Sequence, residues 1–402
     1  MLPIDRRTFL SGSIVWLGTT VSAHAFWPFT RHAKTPDLSK EVRGRVFKGK
    51  APATPGPWSK EAFRYEKLAD QQVMCRVCPH GCVLAPGDRS VCRSKVNIDG
   101  TLYTLAYGNP CAVHVDPVEK KPLYHFMPGI AVYSLAVAGC NFRCLNCQNW
   151  QISQTAPDQV EHSTLMPAQA ARGALDARCR AVAYTYSEPI TFIEYMSDVA
   201  LHARRAGLKN LWISNGYINP GPLNELCNLL DGANVNLKAF SDEVYRTLNG
   251  GRLQPVLDTF KTMHARNLHF EITHLVVPGY TDDEQMLRRM CRWIVDNLGV
   301  DHPLHFLRFF PQYKLERLAP TPVSTLTRFR QIALDHGLRY VYLGNVPGHE
   351  GNHTYCHKCG KLIIERLGYH LPQYHLEGNQ CAYCHTVIPG VWSGSENASN
   401  KM

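Results

Sequence analysis

Seven short runs of apolar and β-branched residues recur between positions 131 and 344, and amphipathic stretches with helical spacing separate them. The runs cover residues 132–138, 181–186, 210–214, 234–238, 269–277, 304–310 and 339–343. Strands that alternate with helices predict an α/β fold with a parallel sheet or barrel. We expect a partial (β/α)6-type barrel over residues 131–350. No glycine-rich phosphate-binding fingerprint follows any run, which disfavours Rossmann and nucleotide-triphosphatase folds.

Three cysteines follow the first run in the spacing C-x3-C-x2-C, namely Cys140, Cys144 and Cys147. A four-iron cluster normally takes four cysteine ligands, so a three-cysteine loop leaves one iron open to another ligand. The loop also follows the carboxyl end of a strand, where barrel enzymes keep their catalytic groups. These residues therefore predict a catalytic [4Fe–4S] centre. The alternative is a zinc ion that takes a distant fourth ligand.

Two C-x2-C pairs near the end of the chain predict a zinc-ribbon-like module over residues 351–392. The four residues are Cys356, Cys359, Cys381 and Cys384. Four thiolates fill a tetrahedral zinc ion and leave no open position, so the expected role is structural. Two disulfides are the alternative in an exported chain.

Another four cysteines lie in a compact cysteine-rich module over residues 71–130, namely Cys75, Cys78, Cys82 and Cys92. We expect a closed four-thiolate site that holds either zinc or an auxiliary iron–sulfur cluster, with disulfides as the other alternative. Ligand softness does not choose between zinc and iron. The remaining cysteines are expected to be packed or core thiols.

The first 25 residues resemble an export signal. Arg6 and Arg7 form a twin-arginine pattern, and a small-residue cleavage site ends at Ala25. The apolar stretch between them is too short to span a bilayer, so we expect no transmembrane span in the mature chain. The pattern predicts twin-arginine export to the periplasm; the alternatives are a disordered basic N-terminus and activity in the cytoplasm. Residues 26–70 indicate a linker, and residues 393–402 a disordered tail.

Several separated motifs are spread over residues 73–392. They include Cys75-Arg-Val-Cys-Pro-His-Gly-Cys82, the three-cysteine loop, Thr185-Tyr-Ser-Glu-Pro189, Asn215-Gly-Tyr217 and the C-terminal cysteine pairs. Together they resemble the radical S-adenosylmethionine (SAM) enzyme of the AmmeMemoRadiSam system. That family is similar to the activating enzymes of glycyl-radical enzymes such as pyruvate formate-lyase.

The resemblance implies a radical SAM barrel and a reaction. SAM binds the open iron through its amino and carboxylate groups, and an electron from a low-potential donor splits it to give a 5′-deoxyadenosyl radical. The radical abstracts a hydrogen atom from an unidentified substrate. The implied partners are a glycyl-radical protein or companion proteins of the AmmeMemo type.

The resemblance also implies residues that contact SAM. Glu188 occupies the position that holds the SAM amino group, with a helix N-terminal acid as the alternative. Ser214 and Asn215 match the segment that meets the SAM carboxylate and ribose, with an ordinary turn as the alternative. Lys238 could face SAM or substrate, or could cap its strand. Ile213 and Asn236 stand where related enzymes have acids, so no cation site beside SAM is expected.

Several further polar residues have either a functional or a structural interpretation. His274 and His305 lie near strand ends and could reach the barrel interior, although a lone strand histidine is more often a hydrogen-bonded core residue. Lys120 and Lys121, with His125, could cover the cluster or contact a partner, or could lie on a solvated surface. The rival functional class is a non-catalytic binding protein held together by zinc. The net charge of +10 is scattered along the chain and gives no strong signal for nucleic-acid binding.

Overall fold

The computed structural model describes residues 51–392. The predicted signal at residues 1–25, the first part of the predicted linker and the predicted tail at 393–402 lie outside the described residues. None of the helices within 51–392 combines the length and the hydrophobicity needed to cross a membrane.

Two small antiparallel sheets of three strands each form the N-terminal module. Their strands are β1 (Lys60–Glu61), β2 (Tyr65–Lys67), β3 (Val73–Cys75), β4 (Val83–Leu84), β5 (Lys95–Ile98) and β6 (Thr101–Thr104), in the orders β2-β3-β4 and β1-β6-β5. The prediction of a linker up to residue 70 is wrong for β1 and β2. These strands of two and three residues are too short to show the alternation that identifies a strand in a sequence.

A single eight-stranded sheet forms the centre of the protein. Its strands are β7 (Ala112–Pro117), β8 (Ala131–Ala136), β9 (Ala181–Tyr184), β10 (Lys209–Ser214), β11 (Gly232–Asn236), β12 (His269–Val276), β13 (Leu304–Arg308) and β14 (Val341–Gly344). Strands β8 to β14 are parallel and lie in sequence order, and β7 pairs antiparallel with β8. All seven predicted runs are confirmed as strands. The count of six strands is wrong, and the extra edge strand β7 comes from the module predicted to end at residue 130.

Within residues 51–392, eight α-helices accompany the sheet: α1 (Trp150–Ser153), α2 (Pro167–Asp176), α3 (Ile193–Arg205), α4 (Pro220–Cys227), α5 (Asp242–Val244), α6 (Gln254–Ala265), α7 (Glu284–Leu298) and α8 (Val323–Asp335). Parallel strands in sequence order need right-handed crossovers that all run in one direction, which puts the connecting helices on one face of the sheet. The other face and the carboxyl ends of the strands therefore stay available for a site.

Helix α7 shows how these helices are fixed. The side chain of Asp283 accepts a hydrogen bond from the backbone N–H of Met286 at 2.6 Å and so caps the first turn. Met286, Met290 and Ile294 recur at helical spacing and are buried. Gly299 ends the helix with a φ of 86°, a conformation that glycine adopts without strain.

The C-terminal module consists of two hairpins, formed by β15 (Thr354–Tyr355), β16 (Leu362–Ile364), β17 (Leu376–Glu377) and β18 (Gln380–Cys381). Its last described residues return to the segment between β7 and β8. The N–H of Met127 donates to the carbonyl of Val391 at 2.6 Å, and the N–H of Val391 donates to the carbonyl of His125 at 2.8 Å. The module is therefore tied to the N-terminal half of the chain.

Candidate active site

A cavity of about 750 Å³ lies at the carboxyl ends of the parallel strands. Every strand from β8 to β14, or the loop that directly follows it, contributes to the lining. The predicted site residues that line it are Cys140, Cys144, Cys147, Glu188, Ser214, Asn215 and Lys238. This volume is in the usual range for a site that encloses a small ligand.

The three-cysteine loop is held by backbone contacts on two sides. Gly139 has a φ of 117°, and a Cβ atom there would lie 2.7 Å from the carbonyl oxygen of Cys92, so the close approach requires glycine. On the other side, the N–H groups of Arg143 and Leu145 donate to the carbonyls of Asn249 and Leu248. The loop is therefore preorganised.

Nitrogen donors point at the sulfur atoms of this loop. The N–H of Phe142 donates to Cys140 Sγ at 3.3 Å, and Asn249 Nδ2 donates to Cys144 Sγ at 3.3 Å. Such donors stabilise thiolates and suit sulfur ligands of an iron–sulfur cluster. The residues present therefore fit a cluster held by Cys140, Cys144 and Cys147.

Glu188 joins three of the predicted SAM-contacting residues into one group. Its Oε1 accepts a hydrogen bond from Ser214 Oγ at 2.7 Å, and its Oε2 accepts one from the N–H of Asn215 at 2.9 Å. Oε1 also accepts from the N–H of Ile190 at 3.4 Å, so Glu188 caps the short 3-10 helix Pro189–Phe192 as well. The same Glu188 carboxylate therefore both caps the helix and belongs to the predicted SAM-contacting group.

Glu188 is 2% exposed, and this burial raises its pKa to about 7. The hydrogen bonds from Asn215, Ser214 and Ile190, together with the charge of Lys238, lower the pKa and offset part of the shift. A bound cation would lower this pKa further, because it favours the ionised carboxylate. The electrostatics therefore suit a positively charged ligand group.

Asn215 connects this carboxylate to the cysteine loop. Its Nδ2 donates to Asn141 Oδ1 at 2.8 Å and lies 3.9 Å from Cys140 Sγ. Its Oδ1 accepts the N–H of Tyr217 at 2.9 Å, so the side-chain orientation is fixed at both ends. Glu188 and Asn215 therefore lie beside the cysteine loop that would hold the cluster.

Lys238 lies two residues beyond β11 and lines the cavity, and its backbone N–H donates to Tyr245 Oη at 3.1 Å. Ile213 and Asn236 line the same cavity. No carboxylate therefore stands at the two positions where related enzymes have acids.

Asp116, in the edge strand β7, contacts three residues that line the cavity. It accepts hydrogen bonds from Lys120 and Lys121, each at 2.7 Å, and from the hydroxyl of Tyr186. Burial alone would raise the pKa of Asp116, but these three donors hold it well below its usual range. Burial lowers the pKa of Lys121 to about 8. Both lysines line the cavity. The side chain of Lys121 is only 2% exposed, so the surface alternative is wrong for it. The side chain of Lys120 is partly exposed to solvent as well as lining the cavity.

The two strand histidines differ in position. His305 lines the cavity, and its Nε2 lies 2.6 Å from Oε2 of the buried Glu271. The other oxygen of Glu271 accepts the N–H of His125 at 2.7 Å. His274 is instead a core residue, with its ring nitrogens facing the carbonyls of Leu237 and Thr281.

Sequence reasoning missed Asp116, Tyr186 and Glu271. Glu271 carried a signal, because an acid inside the apolar run 269–277 must have a buried partner. Asp116 and Tyr186 carried none, since the contact between them joins residues 70 positions apart.

The C-terminal cysteines form a compact group. The Sγ atoms of Cys356, Cys359, Cys381 and Cys384 all lie within 4.8 Å of one another. Cys356 and Cys384 are 3.6 Å apart, and Cys359 and Cys381 are 3.8 Å apart. These distances exceed a disulfide bond of about 2.05 Å, and all four thiols are free.

The sequence pattern of the radical SAM superfamily matches residues 135–291. An uncharacterized protein of Methanocaldococcus jannaschii, MJ0808, is 43% identical over 327 residues, which cover 81% of this chain and 97% of that protein. Pyruvate formate-lyase 1-activating enzyme of Escherichia coli K12 is 24% identical over 229 residues, which cover 54% of this chain and 93% of the enzyme. The structure of Streptococcus suis SuiB bound to S-adenosylmethionine shares 12% identity over 57% of this chain and 53% of that chain, with a TM-score of 0.42.

An α/β sheet with a three-cysteine loop and a buried carboxylate at the carboxyl ends of its strands defines a class of cluster-dependent SAM proteins. The chain belongs to the radical SAM superfamily. It is homologous to the pyruvate formate-lyase activating enzyme. Membership implies a [4Fe–4S] cluster and SAM as cofactors.

Proposed function

We propose that this chain reductively cleaves SAM and abstracts a hydrogen atom from a substrate in the cavity. One observation carries the proposal: the three cysteines and the Glu188–Ser214–Asn215 group line the same cavity and are linked through Asn215. A bound [4Fe–4S] cluster supplies the single electron that splits the SAM sulfonium into methionine and a 5′-deoxyadenosyl radical. A low-potential electron donor is therefore a required partner.

The side chains of this chain have separate roles in the proposal. Cys140, Cys144 and Cys147 hold three irons and leave the fourth for SAM. Glu188 accepts hydrogen bonds from the SAM ammonium group, and Lys238 pairs with a carboxylate of SAM or substrate.

The proposed fold is a partial barrel. Adjacent strands lie about 4.8 Å apart, so β8 and β14 would be separated by roughly 29 Å in a flat sheet. Residues at both strands nevertheless line one cavity, including Cys140 after β8 and Gly344 in β14. Curvature of the sheet accounts for this convergence.

The proposed substrate is a protein that acquires a glycyl radical, and a small molecule or peptide is the second candidate. The homology with an activating enzyme of pyruvate formate-lyase supports the first. Anaerobic incubation with a glycyl-radical protein encoded beside this gene should give a glycyl-radical signal in electron paramagnetic resonance (EPR). SAM cleavage without that signal would favour the second candidate, including substrates handled with AmmeMemo-type companion proteins.

The central experiment measures 5′-deoxyadenosine after anaerobic reconstitution and reduction with dithionite. The wild-type protein should form it from SAM, and the variant Cys140→Ala/Cys144→Ala/Cys147→Ala should form none. Cys111→Ala is the matched control, because Cys111 lies outside the three cysteine sets. Equal product from the triple variant and the wild type would refute the proposal.

We further propose that the C-terminal cysteines hold a structural zinc ion as in a zinc ribbon. A Zn–S bond of about 2.3 Å gives a distance of about 3.8 Å between sulfur atoms at the corners of a tetrahedron. Two of the sulfur pairs, at 3.6 and 3.8 Å, agree with that value. Metal analysis of the purified protein should find zinc that is retained in the triple variant.

Twin-arginine export is likewise a proposal that rests on residues 1–25. Replacing Arg6 and Arg7 together with Lys should keep the protein in the cytoplasmic fraction, because the pathway recognises the arginine pair. Fractionation of expressing cells measures the outcome. Equal periplasmic amounts of variant and wild type would contradict this assignment.

A further inference from the structure

The four cysteines of the N-terminal module surround a small cavity on the far side of the cysteine loop. Cys75 ends β3 and its N–H donates to the carbonyl of Cys82 at 2.9 Å, which closes a hairpin around Cys78. Cys92 comes from the turn before β5. All four side chains line the cavity together with apolar residues such as Val91 and Ile190. They have no covalent partner, since each thiol is free.

The spacing of the sulfur atoms distinguishes a single metal ion from a cluster. One zinc ion brings four sulfurs to about 3.8 Å from one another, and the C-terminal sulfurs all lie within 4.8 Å of one another. Over residues 51–392, that C-terminal set is the only one that brings three or more sulfur ligands within 4.8 Å. Within the described residues, neither the N-terminal set nor the Cys140 loop has three sulfurs grouped as closely as that. Ligands to the separate irons of a four-iron cluster need a wider spacing, because each sulfur binds a different iron.

A hydrogen-bond donor is also in place at the fourth cysteine. Ser90 Oγ lies 3.1 Å from Cys92 Sγ and accepts the N–H of Lys95, so its own proton is free to point at the sulfur. Ser94 Oγ is 3.2 Å from the same sulfur but donates to the carbonyl of Thr191. Hydrogen bonds to ligand sulfurs tune iron–sulfur clusters.

The two cysteine sites share a thin wall. Asn141 lines the N-terminal cavity, while its neighbour Cys140 lines the cavity on the other side. His80 Nε2 lies 2.7 Å from the carbonyl oxygen of Asn141. The contact between Gly139 and the backbone of Cys92 joins the two sites directly.

We propose that Cys75, Cys78, Cys82 and Cys92 hold a second [4Fe–4S] cluster that has no open iron and lies beside the SAM-binding cluster. The assignment of the neighbouring SAM-binding cluster rests on the proposed function. The assignment of the second cluster rests on its own four cysteine ligands. A fully cysteine-ligated cluster cannot bind SAM through iron, so the two clusters differ in their response to SAM.

Iron and sulfide analysis after anaerobic reconstitution tests the proposal. The wild type should bind about eight irons per chain, four for each cluster. The variant Cys140→Ala/Cys144→Ala/Cys147→Ala should keep about four irons and an EPR signal that SAM does not change. Replacing Cys75, Cys78, Cys82 and Cys92 with Ala should also leave about four irons, with a SAM-sensitive signal. Cys111→Ala should change neither count.

The triple variant is decisive, since it keeps all four proposed ligands even if the quadruple variant fails to fold. Zinc but no iron in the folded triple variant would overturn the second cluster and leave the proposed function standing. About four irons in the wild type that persist in the triple variant, with no response to SAM, would instead overturn the proposed function and leave the second cluster standing.

Discussion

Replacing Glu188 with Gln removes one negative charge from the cavity and keeps the size of the side chain. Gln can still accept the N–H of Asn215 and can donate to Ser214 Oγ, because that hydroxyl group is able to reverse its role. Only the longer bond from the N–H of Ile190, at 3.4 Å, loses its acceptor. We therefore expect Glu188→Gln to fold and to retain the cluster.

The expected change in SAM binding follows from the charge. A hydrogen bond between a carboxylate and a bound ammonium group contributes about 1.5–3 kcal/mol, so affinity should fall roughly 10- to 100-fold. Because burial raises the pKa of Glu188 to about 7, the wild-type carboxylate ionises between about pH 6 and about pH 8. Wild-type affinity should rise over that interval, and the affinity of Glu188→Gln should not.

The same pKa predicts a change in stability. The folded-state pKa lies above the ordinary value of 4.5, so the folded wild type binds more protons than the unfolded chain between these values. Its free energy of unfolding should therefore fall as the pH rises from 4.5 to about 7 and then stay level. One pKa unit corresponds to about 1.4 kcal/mol, so the fall is on the order of 3 kcal/mol. Glu188→Gln should lack it.

Equilibrium SAM binding, 5′-deoxyadenosine formation and urea unfolding at several pH values measure these effects. The control is Glu284→Gln, which removes a partly exposed acid from the first turn of α7 and should leave SAM affinity unchanged. Wild-type affinity together with wild-type cleavage in Glu188→Gln would remove this carboxylate from the SAM site. A stability loss of about 0.5–1 kcal/mol with unchanged affinity would leave it as a helix-capping acid only.

Three further variants test other parts of the molecule. Gly139→Ala should lower the free energy of unfolding by about 1–3 kcal/mol and lower the iron content, because its Cβ would lie 2.7 Å from the carbonyl oxygen of Cys92 at a positive φ. Thermal melts and iron analysis measure these effects. A melting temperature equal to that of the wild type would contradict the prediction. Asp116→Asn should cost about 3–5 kcal/mol at neutral pH, because two lysines lose their charge partner. This loss of stability should become smaller in acid, because the pKa of Asp116 is lowered in the folded state and its stabilising contribution disappears as the pH falls through that pKa. Urea unfolding that gives the same stability difference between variant and wild type at all pH values would refute this. Cys381→Ala should release zinc and lower the melting temperature, because structural zinc contributes on the order of 10 kcal/mol in isolated finger peptides; zinc loss with an unchanged melt would show that the metal is dispensable.

The parallel strands could be predicted because their residues are buried on both faces and therefore form nearly continuous apolar runs. Strand β7 could not be predicted in this way. It reads Ala-Val-His-Val-Asp-Pro, has exposed positions and pairs with only one neighbour. Its polar residues and its proline resemble a loop, and only the pairing partner β8 makes it a strand.

The cysteine sets could be predicted because ligand spacing is local in the sequence. Glu188 and Asn215 are implied by the family resemblance, and both follow predicted strands closely in the sequence. The buried pair of Glu271 and His305 could not be foreseen, since their contact depends on the register between β12 and β13. Long-range pairs of this kind are fixed by tertiary packing and leave no pattern within a short stretch of sequence.

The backbone pairing of residues 125–127 with Val391 has a consequence for how the chain is made. Each parallel strand pairs with the strand synthesised just before it, so the central sheet can grow in the order in which the ribosome releases the chain. His125 instead meets Pro389, 264 residues later. Its partner emerges only when nearly all of the described chain has been translated, and closing so long a loop is slow. A nascent chain that stops before Pro389 therefore keeps unpaired backbone groups at residues 125–127, and these groups distinguish it from the full-length chain.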